Sequence, residues 1–248
     1  MATKVRMDEE IAELHREIVD MGGMAKGMVD KGVRCLLTGD AALRTEMADL
    51  DRGIYRQEQV IEKHCLELIA LYQPVASDLR MISTCLKIIT DLNRIGRYGR
   101  DIAELSVTVD QQQDIRRIAA IPLMADQAAA MVSESIRTFV ERDSEAARNL
   151  FVKDDEVDSL WNSIFREALT YMIEDPRNIT VGTHLILTAR YLERIADHAC
   201  NIGERVVFMV TGTRLDPYAR KKPPRLNGQG GGKVTSTDGY YAIPLDEK

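Results

Sequence analysis

The chain contains a copy of its own helix. Residues 91–104 read DLNRIGRYGRDIAE and residues 191–204 read YLERIADHACNIGE. Leu92/Leu192, Arg94/Arg194, Ile95/Ile195, Ile102/Ile202 and Glu104/Glu204 fall in register. Pro74 and Pro176, which interrupt the pattern ahead of the two copies, lie 102 residues apart. Such a repeat restricts the fold strongly. Both halves must build the same unit, and each must bury an apolar face that it cannot cover alone.

The unit is a three-helix bundle. Ile11, Leu14, Ile18, Met21, Ala25 and Met28 recur in steps of three and four, the stripe of an amphipathic helix. Thr38-Gly39-Asp40 ends it, with Gly39 suited to close one helix and Asp40 to cap the next. A second helix runs from Ala41 to about Leu71 and stops before Pro74. A third is expected to start on Ser77 or Asp78 as N-cap and to reach about Ser106, with 107–113 as a connector. The pattern then recurs. A fourth helix has Pro122 near its start and ends at 142–144, a fifth ends at Pro176, and a sixth spans about Ile179 to Val210. Aromatic residues make up only 5% of the chain, which favours helix over sheet. The expectation is all-α: two tandem three-helix-bundle repeats, 8–108 and 109–212, forming one six-helix domain. Residues 213–248 follow as a Gly/Pro-rich tail with the composition of a flexible linker. Its GQGGGK (228–233) lacks the spacing and the Ser/Thr of a phosphate loop.

Charge bounds the function. The formal net charge is −6, which argues against a general nucleic-acid binder. From Arg214 onward seven Lys/Arg stand against four Asp/Glu, so the tail is +3 and the remainder −9. Cys35, Cys65, Cys85 and Cys200 are scattered at mostly apolar positions and read as buried thiols of a reducing compartment. The first ten residues have no apolar core, and the longest charge-free run, Asn178 to Ala189, is too short to span a bilayer. A cytoplasmic protein that meets a membrane only through partners is expected.

The two copies differ most in their acids. On a helix Glu193, Glu204, Asp197 and Asn201 fall within an arc of about 80°, at about 100° per residue. Beside it runs a row of Leu185, Ala189, Leu192, Ala196, Ala199 and Gly203. Folding the fifth helix back on the sixth brings Asp154 level with Asp197 and Asp158 level with Glu193. Carboxylates packed this way need protons, arginines or a cation. Their oxygens suit hard cations such as magnesium, manganese, calcium or iron(III). A salt-bridge cluster built on Arg190 and Arg194 is the alternative. In the first copy the corresponding positions are Asn93, Arg97, Asp101 and Glu104, with Asp51 level with Arg97. Arg97 is expected to neutralise Asp51, Asp101 or Glu104, an internal cation where the second copy would need a metal. His64 reads as a satisfied core histidine, and His184 and His198 point away from the acidic arc.

These residues carry a family resemblance. GTHLILTARYLERIADHACNIGE (182–204) resembles the signature helix of PhoU-type regulators of phosphate transport, and PVASDLRMI (74–82) resembles the entry to the matching first-repeat helix. The likeness covers about residues 8–212. It implies an all-α protein that often forms a homodimer. It implies iron or zinc clusters on Glu/Asp-x-x-x-Asp motifs, here Glu193 and Asp197, whereas Asn93 and Arg97 depart from that pattern. It also implies a non-enzymatic negative regulator of the phosphate-starvation response, acting through the ATPase of the phosphate ABC transporter and a sensor histidine kinase. A carboxylate-bridged, metal-dependent bundle enzyme is the rival reading. The absence of Glu-x-x-His pairs counts against it.

Overall fold

The structure is a computed structural model, described here for the backbone of residues 2–109 and 120–215. Residues 110–113 of the expected connector, and the tail from 216 with its GQGGGK, lie outside the described residues.

Six α-helices make up the described residues, with one short 3₁₀ turn: α1 (Ala2–Thr38), α2 (Ala41–Tyr72), α3 (Ala76–Val109), α4 (Ala120–Glu141), α5 (Ser144–Glu174) and α6 (Ile179–Thr211). The stops follow local chemistry. Gly39 adopts φ 70° and its amide donates to the Cys35 carbonyl, closing α1. The Asp40 carboxylate then accepts from the amides of Ala42 and Leu43 and opens α2. Asp143 does the same for α5, and Gly212 at φ 74° closes α6. Two boundaries differ from the expectation. α3 begins at Ala76 rather than at a Ser77 or Asp78 cap, because the Asp78 amide already donates to the Val75 carbonyl. Its helix also continues through 107–109, which the sequence suggested as connector.

Within each half the third helix is the hub. α3 packs on α1 and α2, and α6 packs on α4 and α5. The halves join along two seams, α3 with α6 and α1 with α4. α3 and α6 run antiparallel: Arg80 meets Met209, Asp91 meets His198 and Tyr98 meets Tyr191. The apolar stripes of all six helices form one hydrophobic core shared by both repeats. All four cysteines are free and buried within it. Among the described residues no helix is long and apolar enough to cross a membrane.

Small residues set the helix spacing where the expected row on α6 meets α5. Leu185, Ala189, Leu192, Ala196 and Ala199 are all buried. A Cβ on Gly203 would stand 2.8 Å from Leu150 Cδ1 and 3.0 Å from the Ala147 carbonyl oxygen. That row is what lets α5 carry its carboxylates close to α6.

Candidate functional site

On α6 the acidic arc lies at the rim of the α5/α6 seam, as its angular positions require. Glu193 has a side chain only 16% exposed, whereas Asp197 is 42% exposed. Each has an arginine three residues earlier as partner. Arg190 pairs with Glu193, and Arg194 Nη1 lies 3.7 Å from Asp197 Oδ2. Burial pushes the Glu193 carboxyl above its ordinary range. Arg190 pulls it down, while Asp197 and Asp158 push it further up, with a net upward shift. The influence of Asp158 on Glu193 fits the level pairing of α5 with α6. Asp158 itself is exposed, whereas Asp154, one turn away, is buried among the α5 core residues. Glu204 is half-buried at the same rim.

Asn201 does not serve this cluster. Its amide reaches Asp91 Oδ1 on α3 at 3.4 Å, beside His198 Nδ1 at 2.7 Å. Among the described residues no three His, Cys, Asp or Glu side chains are grouped to hold a metal ion. The cations beside Glu193 and Asp197 are Arg190 and Arg194.

The first repeat has an internal cation, but it is Arg100 and not Arg97. Arg100 donates to Asp51 Oδ2 at 2.8 Å and to Asp101 Oδ1 at 2.7 Å, and its Nε lies 3.3 Å from Glu104 Oε1. Burial works against its charge, yet the carboxylates of Asp101 and Asp51 outweigh burial and raise its pKa. Arg97 is exposed on the outer side of α3. The reason is angular. Gly96 sits against Ile54 of α2, so one turn along α3 to Arg100 and about one turn back along α2 to Asp51 stay face to face. Arg97 is rotated about 100° off that face. Asn93, the counterpart of Glu193, is nearly buried and donates to Glu58 of α2.

Two further contacts went unread in the sequence. His198 bonds Asp91 across the α3/α6 seam, and the Tyr98 ring stacks between Tyr191 and His198, at 5.7 and 5.8 Å between ring centres. In the repeat register Asp91 corresponds to Tyr191 and His198 to Tyr98. The His198–Asp91 hydrogen bond and the tyrosine stack are therefore the same contact seen from opposite repeats. The register alone holds that signal, once α3 and α6 are known to run antiparallel. His64 is a satisfied histidine, bonded through Nδ1 to Glu17 at 2.7 Å and through Nε2 to Glu10 at 3.3 Å. On the opposite seam an open groove between α1 and α4, about 490 Å³ in one part, is lined by Lys26, Asp30, Asp126, Glu134 and Arg137. Its charges are of both signs and select no ligand charge.

Comparison with known proteins agrees with this layout. The family model described as the PhoU domain matches residues 18–106 and 121–206, one match on each repeat. The phosphate-specific transport system accessory protein PhoU homolog of Rhizobium meliloti is 39% identical over 208 residues, covering 84% of this chain and 88% of its own. The homolog of the same description from Deinococcus radiodurans is 39% identical over 197 residues, covering 79% and 92%. The crystal structure of PhoU from Pseudomonas aeruginosa superposes with a TM-score of 0.79 at 32% identity, covering 83% of this chain and 99% of that one. Two matched domains, an antiparallel α3/α6 hub and relatives of this identity lead to one assignment: the chain belongs to the PhoU family.

Proposed function

We infer that the protein is a non-enzymatic accessory regulator of phosphate uptake and of phosphate-starvation signalling. The supporting observation is the match of two PhoU domains to the two repeats, in a chain similar to proteins described as accessory to the phosphate-specific transport system. At the site, Arg190 and Arg194 pair Glu193 and Asp197, and Arg100 pairs Asp51.

Regulation of this kind needs only differential affinity. A bundle that binds one conformation of a partner more tightly than another shifts that partner's equilibrium by the difference. The partners proposed are the transporter's ATPase and a sensor histidine kinase, met on the cytoplasmic side of the membrane. Self-association as a homodimer belongs to the same proposal.

The test is a tagged pull-down from phosphate-replete and phosphate-starved cells, read by mass spectrometry. A phosphate-transporter ATPase or a sensor kinase whose recovery changes with phosphate supports the reading. Recovery of neither, in both conditions, removes it.

A further inference from the structure

The α2–α3 turn exposes aliphatic side chains that nothing in the described bundle covers. Leu71 is 74% exposed, Val75 73% and Leu79 42%. These three residues fall within nine positions, on either side of one turn. The same end of the bundle is where the chain leaves α6. Arg80, which comes directly after Leu79, reaches the Met209 carbonyl through Nε at 3.5 Å, and a Cβ added at Gly212 would stand 3.9 Å from its guanidinium. Leu215 is then held in the core at 4% exposure, which fixes the point of departure beside the turn.

The sequence beyond Leu215 has a definite chemistry. Residues 216–239 are rich in Lys, Arg, Pro and Gly, and residues 240–245 read YYAIPL, the one run of that stretch dense in aromatic and aliphatic residues. The matched PhoU domains end at residue 206, so this stretch lies outside them. The 24 residues from 216 to 239 can span at most about 80 Å at ~3.3 Å per residue, far more than the ~10 Å width of one helix. Charge acts in the same direction, with the tail at +3 and the remainder at −9.

We propose that the YYAIPL segment docks on the Leu71/Val75/Leu79 surface of its own chain and covers the α2–α3 turn. The occupant is apolar where the surface is apolar, is tethered beside it and is drawn by charge toward the acidic body. This inference is independent of the partners proposed above.

A photoreactive benzophenone amino acid at position 75 of the full chain tests it directly. Irradiation is expected to join position 75 to a peptide containing residues 240–245 of the same chain, with a yield unchanged on dilution. Tyr240→Ser, Tyr241→Ser, Ile243→Ser and Leu245→Ser together should reduce that link to the level of an unirradiated sample. The same probe at Ile173, the exposed turn of the other repeat, should not capture the segment. A link formed only between isotopically labelled and unlabelled copies would mean that a second copy is the occupant, and overturns the proposal. Capture of a different protein in cells, or of no tail peptide at all, overturns it equally.

Discussion

Arg100 is the side chain on which the acids of the first repeat depend. It joins α2 to α3 by touching Asp51 and Asp101 at once, in a site only about a quarter exposed. Arg100→Met is expected to lower stability by about 1–3 kcal/mol, since half-buried carboxylates lose a charged donor. Arg97→Met, at an exposed position, should change it by no more than about 0.5 kcal/mol. Urea midpoints at unchanged slope measure both, and equal losses would refute the assignment. This is also where the sequence was legible only in part. Counting residues from Pro74 placed an arginine level with Asp51. Level fixes height along a helix and leaves angle open, and angle separates Arg97 from Arg100. His64 carries a second prediction. Both ring nitrogens face carboxylate oxygens, and only the imidazolium donates to both. Burial pulls the His64 pKa down, but Glu17 and Glu10 outweigh it and the net shift is upward from 6.5. A raised folded pKa means the stabilisation is complete below 6.5 and is lost as pH rises through the folded value. The stability difference between wild type and His64→Gln should therefore be larger at about pH 5.5 than at about pH 8.5. A difference independent of pH would rule the clasp out.

At the scale of elements, glycine positions separate packing from propensity. Gly203 is where α5 comes closest to α6, and any Cβ there meets Leu150 and the Ala147 carbonyl. Gly203→Val should cost about 1–3 kcal/mol by overpacking. Gly23 in α1 is the opposite case, with nothing within 4 Å of an added Cβ. Gly23→Ala should stabilise by about 0.5–1 kcal/mol through helix propensity alone. Thermal midpoints of the two variants should move in opposite directions, and a fall for Gly23→Ala would contradict the open environment. The apolar stripes and the Asp40 and Gly39 signals were readable because they are local, depending on period and on one or two cap bonds. The start of α3 was not. The Asp78 amide bonds back to Val75 in the tight turn after the buried Pro74, so the helix opens before the residues best suited to cap it.

At the scale of the molecule, the repeat gives two bundles but one core. The α3/α6 seam joins them through Asp91–His198 and through the Tyr98 stack, the same contact in two chemistries. The α1/α4 seam closes the other side, where Gly22 of α1 faces Ile136 of α4. Because buried residues of all six helices form one cluster, neither repeat keeps its own apolar face covered when the other unfolds. The molecule should then unfold in a single cooperative step. Trp161, the only tryptophan, stacks on Phe165 in α5 of the second repeat, at 5.3 Å between ring centres. Its fluorescence reports that half, whereas far-UV circular dichroism weights both. The two transitions should coincide in urea. Arg100→Met, placed entirely in the first repeat, should move the Trp161 transition as far as the dichroism transition. A Trp161 midpoint left in place while part of the dichroism signal shifts would mean that the repeats fold separately. The seams would then be docking contacts between two domains, and the Asp91–His198 hydrogen bond and tyrosine stack would belong to an interface rather than to a common core.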